Sequence, residues 1–388
     1  MLSPTLVISV SCVYLLALFA IAHYGDWRAA QGRSITANPW VYAMSLAVYC
    51  TAWTYFGSVG RAASGGIWFL PIYLGPTLAM VLGWLVLRKM IRIAKTYRIT
   101  SIADFIGSRY GKSPLLAGLV TMIAYIALQL KAVSAGYGLL TTAQDAGLTV
   151  QPHWVQDSTF YMALALAGFT MVFGARHLDS AERHEGLVAA IALESVVKLI
   201  AFLAVGLFVV YGMFNGLADV FTRAHAVPEL AKLIRLEQSG SFAWTQWFAL
   251  TLLSMLSVIF LPRQFQVMVV ENVRESHLRR AVWVFPLYLL AINLFVLPIA
   301  VAGLLYFQGT QVNADNFVLL LPLAAGQPAL ALFAFIGGLS AATGMVIVET
   351  IAVSTMVCNE LVMPLLLRTA HFKSEAGHDL TRVLLSIR

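Results

Sequence analysis

The chain has 388 residues, 60% of them hydrophobic and 11% charged, with a mean hydropathy of +0.81. A soluble domain carries roughly 25% charged residues, so a water-facing domain is excluded and lipid is the expected solvent. The net charge of +7 does not mark a nucleic-acid binder, because Lys and Arg stand in short loops between apolar runs rather than along one helix face.

In chain order, nine apolar segments are long enough to span a bilayer: 3–23, 38–60, 65–87, 114–141, 158–174, 186–214, 242–262, 281–307 and 329–360. The first lacks a basic n-region and a small-residue cleavage site, so it reads as a retained span rather than a signal peptide. Of the 25 Lys and Arg residues, 19 fall in 24–37, 88–113, 175–185, 263–280 and 361–388, and 4 in the opposite loops. That bias predicts a plasma (inner) membrane protein with its N-terminus outside and residue 388 in the cytoplasm. Loops 88–113 and 263–280 are expected on one side. In the external loop, Val227–Glu237 alternates apolar and charged residues as a short surface helix would. Cys12, Cys50 and Cys358 lie inside apolar runs, without the spacing of a disulfide framework or zinc site.

Three segments interrupt otherwise helical patterns. Cys50 to Gly66 is glycine-rich around Trp53 and Tyr55, which fits either unwound backbone lining a cavity or close helix packing. Pro262 breaks or ends the seventh span while apolar sequence continues to Val270. The ninth span carries Gly337 to Gly344, and positions 340, 343, 347, 350 and 354 share one helical stripe, four of them bearing a hydroxyl. Ser340 lies about 16 Å into that span, near the midplane of a ~30 Å core. The stripe suits a solute or cation site, or hydrogen bonds between helices. Trp53 and Ser340 are expected in one cavity, with Trp53, Tyr55 and Thr343 as substrate-cavity candidates.

Ionisable residues inside spans are costly and therefore informative. Glu194 and Lys198 stand four apart with the acid first, either as a neutralised structural pair or as part of a proton route. Lys131 is close enough to the outer interface to snorkel. Glu349 is expected at the cytosolic interface, away from Ser340. His177 and His184 sit in a charged loop, and no catalytic constellation is visible, so these residues are not read as an enzyme.

Ala47 to Gly66, Ile99 to Gly111, Leu261 to Phe265 and Gly337 to Ala352, in that order and spacing, resemble the sodium/solute symporter family along nearly the whole chain. More narrowly, Phe173 to Leu187, Ala192 to Leu199 and Ser354 to Leu361 resemble the transporter-like module of CbrA-type sensor histidine kinases. The resemblance implies an all-α, polytopic membrane protein with an inverted-repeat (5+5, LeuT-like) fold, one extra N-terminal helix and about nine transmembrane helices. Residues 1–367 form that domain, incomplete at its C-terminal end, and 368–388 a cytosolic connector. A small polar solute, an amino acid such as histidine, is the implied ligand. A downstream kinase and response regulator are the implied partners, besides the lipid bilayer, and a free-standing ion-coupled symporter is the alternative.

Carried over by position, the family's sodium site falls on the carbonyls of Ala47, Cys50 and Gly337 and the hydroxyl of Ser340. A second hydroxyl falls on Ala341, which has none, and a carboxylate on Tyr49. A hard cation prefers several oxygen ligands, so these departures weaken the sodium site. Sodium, a proton carried by Glu194 and Lys198, or sensing without tight coupling remain as alternatives. No other cofactor or metal is implied.

Overall fold

The computed structural model describes residues 2–111, 123–141, 184–234, 243–310 and 312–362, with a few residues between 160 and 171. The span expected at 158–174, His177, the greater part of Phe173 to Leu187 and the segment 368–388 lie outside them wholly or largely. All described regular structure is helical, as the apolar patterning requires.

Helix α1 (Pro4–Ala30) starts where the Ser3 side chain accepts from the Leu6 N–H and Pro4 takes the first turn. Helix α2 (Pro39–Ser45) is capped by Asn38 in the same way and runs into a tight turn, Leu46–Tyr49. The chain is extended at Cys50, then resumes as a wide turn over Trp53–Gly57 and helix α3 (Ser58–Gly65). The spans expected at 38–60 and 65–87 are therefore not two simple rods. Trp53–Phe69 and helix α4 (Pro71–Tyr97) meet at a 63° bend, at the Leu70–Pro71 junction.

After α5 (Ile102–Tyr110) and α6 (Ile123–Thr141), helix α7 (Glu185–Leu207) continues as a wide turn to Met213. Two short helices follow, α8 (Leu217–Ala226) and α9 (Pro228–Leu233); α9 falls within the surface helix expected over Val227–Glu237, and its Leu230 is buried. The seventh span is α10 (Ala243–Phe260), then an extended Leu261, then α11 (Pro262–Phe265) with a wide turn to Val270. It is broken, not terminated. Helices α12 (Leu278–Asn293) and α13 (Val296–Tyr306), the short α14 (Phe317–Ala324) and the long α15 (Pro328–Val357) complete the described chain.

Among the described residues, five helical runs are long and apolar enough to cross a membrane, or six with the bent pair counted as one span. They are not equivalent. The most apolar stretch of Pro328–Glu360 is 89% buried inside the protein, that of Ala243–Phe260 only 17%. Helix α15 is thus the central post, packed on α7, α6 and both broken segments, while α10 leaves Leu253, Leu256 and Phe260 exposed for lipid.

Helix α4 and the segment after α11 are tied by ion pairs. Arg88 and Arg92 both pair with Glu275, and Lys95 donates to Asn272 Oδ1 at 3.0 Å. Residues 88–95 and 272–275, from the two regions 88–113 and 263–280, therefore meet.

Candidate functional site

A helix that stops inside lipid leaves carbonyls without partners and demands donors from elsewhere. At the first break, the Leu46 carbonyl accepts from Gln264 Nε2 at 3.3 Å, a residue of the second broken helix. The carbonyls of Ala47 and Cys50 both accept from Lys198 Nζ, at 2.7 and 2.8 Å. Beyond the break, the Ala52 N–H donates to Gln129 Oε1 at 2.9 Å. Side chains of three other helices thus close the gap in the first.

Lys198 is 3% and Glu194 2% exposed. Their spacing on α7 predicts a mutual pair, but each turns to a different partner: Lys198 to the break, Glu194 to α15. Thr343 Oγ1 donates to Glu194 Oε1 at 2.6 Å, and Ser340 Oγ donates to the Glu194 carbonyl at 2.8 Å. The approach is close because α15 carries glycine here. A Cβ at Gly344 would overlap the Glu194 carboxylate, and one at Gly337 would overlap Tyr55 Oη. Thr350 and Ser354 belong to the same stripe but donate to carbonyls of their own helix, Val346 and Ile351. Of the four hydroxyls on the stripe, Ser340 and Thr343 bond to another helix, and Thr350 and Ser354 bond to their own.

At the second break the charges are paired sideways. Arg263 Nη1 lies 3.5 Å from Glu349 Oε2, with 3% and 0% of the two side chains exposed. Glu349, expected at the cytosolic interface, is fully buried, because α11 brings an arginine against α15 at that level. Tyr42 Oη donates to the Met268 carbonyl at 2.7 Å and joins the two broken helices. Just past α11, Glu271 accepts from the backbone and ring of His184 at 3.0 and 2.8 Å and from Gln266 at 2.9 Å. Burial opposes ionisation of Glu271, but His184 and Gln266 outweigh it and hold the carboxyl below its ordinary range.

A cavity of about 490 Å³ opens between the two broken helices and α4. Tyr49, Thr51, Trp53, Thr54 and Arg61 line it from the first, Ser254, Ser257 and Arg263 from the second. Of the expected cavity residues, Trp53 lines it. Tyr55 does not; it is fully buried with its ring against Phe56 and Phe202. Thr343 and Ser340 are also fully buried, bonded to Glu194 behind the cavity, so Trp53 and Ser340 do not share it. The first interrupted segment nevertheless packs directly on Gly337 and Gly338, through Tyr55 and Phe56. Gln129, Gln264 and Arg263 were the residues the sequence did not single out. The only signal for them is a polar or charged residue set in or beside an apolar run.

Two interrupted helices facing each other across a central post form an architecture that can be compared with solved ones. A structure of a Na+-coupled sialic acid symporter, substrate-bound and outward-open, superposes with a TM-score of 0.72 over 98% of this chain and 78% of that chain, at 13% sequence identity. The fold is that of a symporter. No family model matches the sequence, and no curated protein matches it. Within this chain α1 packs against α7, and α7 pairs with α15.

Proposed function

We propose that the chain is a transmembrane module that binds and moves a small polar solute, an amino acid such as histidine, and that it serves a membrane-bound sensor histidine kinase whose catalytic part lies in another region of the protein. The observation that supports solute binding is the cavity between two broken helices; the kinase rests on the resemblance of Phe173 to Leu187, Ala192 to Leu199 and Ser354 to Leu361. Its wall combines the aromatic faces of Tyr49, Trp53 and Trp68, the hydroxyls of Thr51, Thr54 and Ser254, and two arginines, Arg61 and Arg263. Aromatic walls with a few convergent polar groups bind small organic molecules, and a guanidinium matches a carboxylate. About 490 Å³ suits a single amino acid. A free-standing ion-coupled symporter is the alternative, favoured by the sialic acid symporter fold.

The Lys and Arg bias supports a bacterial plasma membrane with the N-terminus outside and loops 88–113 and 263–280 in the cytoplasm. The coupling ion in this reading is a proton carried on Glu194, in contact with Thr343, rather than sodium. The test is a binding screen of radiolabelled amino acids on the purified protein, in wild type and in Trp53→Ala. Saturable binding of one amino acid that Trp53→Ala weakens at least tenfold is expected. Wild-type protein that binds none of them would reject the solute class, and binding indifferent to Trp53→Ala would reject the cavity.

A further inference from the structure

We infer that the Lys198 ammonium is the resident cation of this fold: held between the Ala47 and Cys50 carbonyls, it takes as part of the chain the place a free alkali cation would need.

The first half-helix ends at a tight turn, Leu46–Tyr49, and the backbone at Cys50 is extended (φ −80°, ψ 97°). Carbonyl groups at a helix C-terminus carry partial negative charge, and in a site without water they call for a donor or a cation. Cys50 and Ala47 are 1% and 0% exposed. Lys198 answers from a helix about 150 positions away, with distances of 2.7 and 2.8 Å that belong to charge-assisted hydrogen bonds. An ammonium is a compact point charge with three donors and no acceptor, so to these two oxygens it is chemically a monovalent cation on a four-carbon stem.

Two features exclude a second, free cation at the same oxygens. A sodium ion coordinated there would stand where Nζ stands, and even displaced by a few ångströms it would meet a like charge inside a low-dielectric interior. The side-chain oxygens nearby are also few: position 341, next to Ser340, is alanine and offers none. A tethered cation cannot be taken up from one side and released on the other. Sodium therefore does not travel through this site with the solute, a consequence for coupling that rests on the reading of the chain as a solute-moving module.

The decisive measurement is equilibrium binding of radioactive sodium to the purified full chain in detergent, with no solute present, in wild type and in Lys198→Ala. Wild type is expected to show no saturable sodium binding. Lys198→Ala, which removes the ammonium and opens the volume of its stem, is expected to gain saturable binding, and its melting temperature to rise by about 2–4 °C in sodium chloride over equal choline chloride. Saturable binding by wild type overturns the inference, and so does a folded Lys198→Ala that gains none. The wild-type arm decides alone should Lys198→Ala not fold. Because no uptake is measured, a chain that moves no solute fails the proposed function without altering this result.

Discussion

The two broken helices solve the same problem by opposite means. At the second break, Leu261 is extended and Pro262 opens the next turn; proline has no N–H to strand, and the Leu261 carbonyl accepts from the Phe265 N–H at 2.9 Å. That break closes itself with local backbone, and its buried charges, Arg263 and Glu349, pair with each other. The first break has no proline; the Ala47 carbonyl accepts from the Cys50 N–H at 3.0 Å, but the carbonyls at Leu46, Ala47 and Cys50 also draw donors from Gln264 and Lys198 of other helices. A break that closes itself is a structural hinge; a break that depends on a distant cation is where tertiary structure and charge state act on the backbone together.

The contrast orders the expected effects of substitution. Lys198→Met removes two charge-assisted hydrogen bonds, and although the Ala47 carbonyl keeps the Cys50 N–H at 3.0 Å, the buried Cys50 carbonyl loses its Lys198 donor, so a loss of about 3–5 kcal/mol is expected in unfolding measured in mixed micelles. An unchanged stability would mean that the first break does not need its cation. Glu349→Ala removes the carboxylate that faces the buried Arg263, but the 3.5 Å separation is long for a strong pair, so about 3 kcal/mol is expected in the same assay. Should Glu349→Ala cost more than Lys198→Met, the ranking of the two breaks reverses. Thr343→Val keeps shape and removes one hydrogen bond to the Glu194 carboxylate, with an expected loss of about 1.5–3 kcal/mol. A neutral Thr343→Val would show that Glu194 finds an equivalent donor.

Much of this was legible in the sequence, for reasons that differ by element. Glycine density after Cys50 and the proline at 262 are local properties of the backbone, and both interruptions occur where they stand. Ser340 and Thr343 were visible because helical periodicity puts them on one stripe, and they meet α7 as that stripe does. The partners were not legible. An i,i+4 spacing paired Glu194 with Lys198, yet the stem of Lys198 is long enough to reach a stronger acceptor set on another helix, and Thr343 offers Glu194 a direct hydrogen bond. Depth along the helix placed Glu349 at an interface because only α15 was considered; the arginine that buries it belongs to a segment 86 residues earlier. Thr350 and Ser354 fit the stripe equally well, but a hydroxyl in a helix can always turn to its own carbonyl, and periodicity cannot tell which hydroxyls do so.

On the proposed reading the cation of this fold is built in, which leaves Glu194 as the group that exchanges with the gradient. The direct test is uptake of whichever amino acid the binding screen identifies into proteoliposomes with sodium and proton gradients imposed separately, for wild type and Glu194→Gln. Uptake is expected to follow the proton gradient, to ignore the sodium gradient, and to fall at least tenfold in Glu194→Gln. Uptake that follows sodium and is unaffected by Glu194→Gln would contradict the account.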